Sequence, residues 1–168
     1  MKSYETIFIF FITLILSITV IYFQNINREW TSAFDMEFTL LYNALLLNDG
    51  LSQEYSDHPA TTPIILLSIF LNILSFTNIL SFGTISELNN SIDYADQIQI
   101  LIVYTRIFNL IFACIFMIYF YSELKKISKN NILIIFFVLF LIFSKTFLDQ
   151  TIAMRSEIYS VFFIFISI

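Results

Sequence analysis

Four apolar runs of roughly membrane-crossing length, and a fifth shorter one, leave this chain little choice of solvent. They cover 7–23, 64–82, 98–121, 132–148 and 158–168. A spanning helix takes about 20 predominantly apolar residues and tolerates about 17, and the first run has 17 without a charge. Only 12% of the 168 residues are charged and 58% are hydrophobic, with mean hydropathy +0.84. A soluble domain carries about 25% charged residues, so these charges cannot coat a water-facing surface. The expected fold is an all-α polytopic membrane protein, integral and multi-pass.

A signal peptide is the competing reading of 7–23. It requires a shorter apolar core and a small-residue cleavage site, whereas Gln24-Asn25-Ile26-Asn27-Arg28 follows here. An uncleaved anchor fits better, with Tyr22 and Trp30 near the headgroups, where amphipathic aromatics collect.

The segment 24–63 is the expected first extracytoplasmic loop. Between Glu29 and Pro63 it holds six of the thirteen carboxylates, the only His and both Pro residues. Within it, Phe34, Phe38, Leu41 and Leu45 recur at steps of four, three and four. That spacing predicts a helix over 37–48. The run is too short and too polar to span, so it is expected to lie in the interface as an amphipathic helix. Gly50 is placed to stop it. Ser56-Asp57-His58-Pro59 reads as a turn, with Pro63 in the first turn of the next helix.

The second run is interrupted by Asn72, Ser75 and Asn78 and is expected to end at Gly83. If every run spans and the N-terminus is cytoplasmic, the Lys-rich loop 123–131 falls outside, against the positive-inside tendency. The conflict vanishes if 64–82 dips in and returns. The loops 24–63 and 83–97 and the segment 149–157 then share the outer face. The last run has only 11 residues, about 16 Å of helix against a ~30 Å hydrocarbon core. On this reading the sequence is the N-terminal part of a longer membrane protein.

The formal charge of −5 argues against nucleic acid as a partner, because phosphate binding needs a basic face. The single cysteine, Cys114, has no disulfide mate and no ligating neighbour, so it reads as packing and no metal site is expected.

Several polar residues stand out against this background. Asp35 and Glu37 follow the first span at a loop-to-helix junction. Two residues apart on a helix they are separated by about 200°, so they converge only if Asp35 lies in an extended lead-in. Carboxylates there also suit the positive end of a helix dipole. Asp57-His58 can orient a phosphate or relay a proton, or belong to a solvated turn. Arg106 lies within the third run, about 12 Å from its start, where an ionisable residue marks a functional site by default. Snorkelling to the near interface is the alternative. Arg155 and Glu157 precede the last run; Arg suits two-point phosphate binding, and a charge pair at a helix start is the other reading.

Taken in order, these features resemble the polytopic glycosyltransferases of the GT-C class. The likeness is to the bacterial relatives of dolichyl-phosphate-mannose protein mannosyltransferases and the RgtA/B/C/D-like enzymes. Those proteins carry an acidic pair after the first span, a helix ending in Gly, His-Pro-Pro before the second apolar segment, an Arg in the next, and an Arg/acid group before a later span. The resemblance covers nearly the whole chain. It departs at Asp35-Met36-Glu37, where the acids are not adjacent, and at His58-Pro59-Ala60, which replaces His-Pro-Pro.

The resemblance implies inverting transfer of a sugar from a polyprenyl-phosphate donor to a hydroxyl of a glycan, lipid or protein acceptor, at the outer face of a bacterial plasma membrane. Asp35 would be the general base, a role worth about 10²–10⁴-fold. Glu37 would place the acceptor or share its charge. His58, Arg106 and Arg155 would stabilise the departing lipid phosphate, with Glu157 holding Arg155 or the sugar. No cofactor is implied. A non-catalytic membrane subunit or a transporter fragment is the alternative.

Overall fold

The computed structural model describes residues 4, 8, 11, 12, 15, 29, 31, 35–54, 61–152 and 156–167. The side chains of Asp35, Met36, Leu148, Ile152, Glu157 and a few others within those ranges lie outside the description. Among these residues no strand occurs, and seven helices have described bounds: α1 (Asp35–Asn48), α2 (Thr61–Phe76), α3 (Ile85–Asn89), α4 (Tyr94–Ile127), α5 (Asn131–Ile142), α6 (Lys145–Ile152) and α7 (Ser156–Ser167).

The axis of the fold is α4. It has 34 residues and is long and apolar enough to cross a bilayer. It outruns the expected 98–121 at both ends. Asp96 sits in its first turn and Lys125 and Lys126 in its last, each at the end of the helix dipole that favours its charge. The inner stripe repeats at steps of three and four: Ile98, Leu101, Ile102, Thr105, Arg106, Asn109, Phe112, Ala113, Phe116 and Met117 are all buried. Two apolar cores form along it. The first joins α1, α2 and α3 to the N-terminal half of α4 through Leu40, Leu45, Leu67, Leu71, Leu88 and Leu101. The second joins α5, α6 and α7 to the C-terminal half through Phe116, Met117, Val138, Phe147, Tyr159 and Phe162. The three polar residues of the stripe, Thr105, Arg106 and Asn109, lie between these two cores.

Gly50 stops α1 as expected. It adopts φ +74°, its N–H bonds the Leu47 carbonyl at 3.0 Å, and the Leu51 N–H bonds the Leu46 carbonyl at 2.9 Å. That pair of bonds is the Schellman arrangement, and it needs a left-handed residue at this position. Pro63 falls in the first turn of α2.

Three expectations change. First, α1 does not lie on a surface with one apolar face. Leu40, Leu41, Asn43, Ala44, Leu45 and Leu46 are all buried, while Phe38, expected on the apolar face, is exposed. The helix is enclosed by α2, α3 and α4, so polar Glu37 and Asn43 go inside with the leucines. Second, α2 ends at Phe76, well before Gly83. Asn78 takes the left-handed conformation at φ 57°. Its N–H bonds Ser75 and the Ile79 N–H bonds Leu74, a second Schellman closure built on Asn. The resulting 16 residues rise about 24 Å, less than the ~30 Å hydrocarbon core. Third, the run 132–148 breaks after Ile142 and resumes as α6 at 56°. Ser144 causes the break: its hydroxyl accepts from the Phe147 N–H at 3.2 Å and donates to the Leu141 carbonyl at 2.8 Å, so it caps the new helix.

Of the first run, residues 8, 11, 12 and 15 are described, all helical. Phe8, Phe11 and Ile15 are exposed and Ile12 packs on the second core.

Candidate functional site

Two of the three polar groups on the inner stripe of α4, Arg106 and Asn109, meet partners from other parts of the chain. The Arg106 guanidinium donates from Nε to Glu37 Oε1 and from Nη2 to Glu37 Oε2, both at 3.1 Å. The two side chains are 4% and 0% exposed. Glu37 reaches this position because it shares the inward face of α1 with Leu40, Leu41 and Ala44. Two parallel bonds between a planar guanidinium and a carboxylate form the strongest and most directional of side-chain ion pairs. A half-pair at this depth would leave an uncompensated charge in an apolar surround.

One turn further along α4, Asn109 is fully buried. Its Nδ2 donates to the carbonyls of Thr151 and, at 3.1 Å, of Gln150, and its Oδ1 accepts from the Tyr159 hydroxyl at 3.0 Å. Asn109 thus binds the carbonyl end of α6 and the first turns of α7. Tyr159 stacks on Phe112 with ring centroids 4.1 Å apart. Thr105 donates to the Leu101 carbonyl within its own helix at 2.9 Å.

A second polar cluster closes the far end of α1. Asn48 donates to the Gly83 carbonyl at 2.8 Å and accepts from Ser68 and, at 2.7 Å, from Asn72. Asp49 accepts from the Ser86 hydroxyl and N–H, both at 2.7 Å. These bonds, the Ser86 hydroxyl's foremost, hold the Asp49 carboxyl below its ordinary value. Thr84 and Glu87 form a capping box on α3. Buried Asn43 accepts from the Glu54 N–H at 3.0 Å and so draws 51–54 back over α1.

The six residues singled out from the sequence fare differently. Glu37 and Arg106 come together. Asp35 is the first residue of α1, two before Glu37, and is helical from the outset rather than part of an extended lead-in; its side chain is outside the description. Glu157 lies in the first turn of α7 with its side chain likewise outside. His58 and Arg155 fall outside the described residues. Arg106 and Glu37 bond each other and so tie α1 to α4.

Asn109 was legible by the rule that flagged Arg106, whereas Asn48, in the polar loop 24–63, carried no such signal. A carboxamide inside an apolar run needs partners, and Asn109 interrupts 98–121 as plainly as the arginine does. Among the described residues no three His, Cys, Asp or Glu side chains gather as metal ligands. Cys114 is buried.

The geometry defines a helical protein with one helix able to cross a bilayer and a buried polar belt at the middle of that helix. Comparison with protein-family models, with curated proteins and with solved structures gives no match for this chain.

Proposed function

We propose that the chain belongs to a multi-pass membrane glycosyltransferase of GT-C type, acting on a polyprenyl-phosphate sugar at the outer face of a bacterial plasma membrane. The observation that carries the reading is the buried Glu37–Arg106 pair. It fastens the start of α1, and with it the backbone of Asp35, to the middle of the longest apolar helix. Ionisable residues inside a membrane segment face the interior and mark functional sites by default.

Two further features support the membrane setting. Large apolar side chains stand exposed along α2 (Ile65, Ile69, Ile73), α5 (Phe136, Phe137, Phe140) and α7 (Phe163, Ile164), where water would be a poor neighbour and lipid a good one. Charge also sorts along α4. Its N-terminal approach 83–97 carries Glu87, Asp93 and Asp96 and no Lys or Arg, and its C-terminal end carries Lys125, Lys126 and Lys129. The lysine end is then cytoplasmic and the α1 end faces out.

In the proposed reaction an acceptor hydroxyl oxygen attacks the anomeric carbon of the donor. The bond from that carbon to the phosphate oxygen breaks with inversion, its electron pair leaving on the lipid phosphate. Asp35 takes the hydroxyl proton. Glu37 and Arg106 hold the helix that presents Asp35, and His58, Arg155 and Glu157 are assigned to the phosphate and sugar.

A non-catalytic membrane subunit is the second reading. The observation in its favour is that Glu37 and Arg106 bond each other at two points with both side chains buried, as a structural clasp would.

The test is Asp35→Asn, in this chain and in the longest reading frame that contains it, assayed with a labelled polyprenyl-phosphate sugar. Loss of transfer by about 10²-fold or more at unchanged expression is expected. Transfer near the wild-type rate removes the catalytic assignment. No transfer by any form favours the subunit.

A further inference from the structure

The tip joining α4 to α5 carries the densest positive charge in the chain. Lys125, Lys126 and Lys129 fall within five positions, and 123–131 holds one carboxylate, Glu123, against them. Lys126 donates to Glu123 at 2.7 Å, which leaves two positive charges in excess. The Lys125 ammonium lies 5.3 Å from the centroid of the Tyr121 ring.

Between and beside the lysines stand two of the most exposed aliphatic side chains of the described residues, Ile127 at 83% and Ile132 at 82%. The dipole at the C-terminus of α4 accounts for nearby lysines. It does not account for isoleucines held out beside them.

Interleaved ammonium and aliphatic groups match the boundary of a bilayer. Aliphatic tips enter the acyl region while lysine stems rise to the phosphates. The apolar run of α4 places the tip there. Residues 98–121 rise about 36 Å, enough to cover a ~30 Å hydrocarbon core, so the last turn of α4, beyond Tyr121, lies at headgroup level.

We propose that this tip is a binding surface for anionic phospholipid headgroups, with Lys125, Lys126 and Lys129 on the phosphates and Ile127 and Ile132 anchoring the loop among the acyl chains. The inference rests on the membrane setting proposed above and not on sugar transfer.

It is tested on the whole chain reconstituted into phosphatidylcholine vesicles with and without phosphatidylglycerol. Ser128→Cys, half-buried at the tip, takes a fluorophore, while Cys114 stays buried. Quenching is read from spin labels on either headgroup. A lysine at an anionic surface is worth up to about fivefold in binding, so the phosphatidylglycerol label should be favoured at least about fivefold. The preference should fall near parity in Lys125→Gln/Lys126→Gln/Lys129→Gln and persist in the corresponding triple Arg variant.

Equal quenching by the two lipids overturns the proposal, as does a preference that survives the Gln triple. So does competition by soluble inorganic phosphate beyond that of sodium chloride at the same ionic strength, which would make the site one for free phosphate. A chain that is not recovered in the bilayer removes the membrane setting itself, and this inference with it.

Discussion

Arg106 and Glu37 form a two-point ion pair, 3.1 Å at each contact, across 69 residues of sequence. The pair is the main polar link between α1 and α4, and it sits where the two apolar cores meet. In a chain with so few charges, two of them are withdrawn from solvent for one another. Such a pair contributes less to net stability than to a single arrangement of helices, because desolvation offsets much of the attraction. Breaking half of it is a different matter.

Glu37→Leu or Arg106→Met alone is expected to destabilise the fold by about 3–5 kcal/mol, since each strands a buried charge. The joint Glu37→Leu/Arg106→Met variant is expected to recover most of the loss. Denaturant unfolding in detergent, followed by circular dichroism, measures both. Additive losses would mean that the two residues do not act as a pair.

The two glycines serve different needs. Gly50 has φ +74° with open space around a Cβ, so Gly50→Ala is expected to cost about 1–2 kcal/mol from backbone strain alone, and Gly50→Asn less. At Gly83 a Cβ would meet the Ser75 Cβ at 2.9 Å. Gly83→Ala is expected to cost about 1–3 kcal/mol from crowding, and Ser75→Gly/Gly83→Ala less than the sum of its parts. Ser75→Gly should give no such relief to Gly50→Ala. Melting temperatures of these variants, with Ser75→Gly alone as the reference, distinguish strain from crowding.

Asn48 joins α1, α2 and the Gly83 turn through both ends of its carboxamide. Asn48→Ala is expected to cost about 1–3 kcal/mol by leaving those partners unpaired. Asn48→Asp is expected to be no better, because it sets a carboxylate against the Gly83 carbonyl. Faster amide hydrogen exchange over 77–84 in either variant is the local readout.

The Asp49 carboxyl, held below its ordinary 3.8 by Ser86, sets a pH dependence. A carboxyl depressed in the folded state stabilises it fully above the unfolded value. That contribution fades as pH falls below about 3.8 and is gone beneath the folded value. Ser86→Ala should return the Asp49 titration towards 3.8, read by carbon NMR of its carboxyl. An unchanged midpoint would mean that Ser86 does not hold it.

The structure divides the polar residues by what a one-dimensional pattern carries. Helix content was legible because apolar runs of this length and turn signals such as Gly50 and Pro63 act locally. Arg106 was visible as a misfit deep in an apolar run, and Glu37 as a carboxylate at a helix start, where the dipole alone would suit it. Asn78 was passed over as a helix stop in favour of Gly83, because the left-handed conformation that ends α2 is open to Asn as well as to Gly. The facing of α1 was misjudged for a related reason. Spacing finds a stripe, but a helix surrounded on several sides has no single buried stripe to find.

The sequence by itself determined that this chain is helical and where several helices begin or stop; it called for several crossings, whereas among the described residues one helix is long and apolar enough to cross a bilayer. Those properties depend on side-chain type and on contacts within a few residues. Only the tertiary structure decided that Glu37 answers Arg106, that Asn109 receives Tyr159, and that Asn48 gathers Ser68, Asn72 and Gly83. A charge or carboxamide in an apolar run demands a partner, but every distant polar group satisfies that demand equally on paper. Packing of the helices chooses among them.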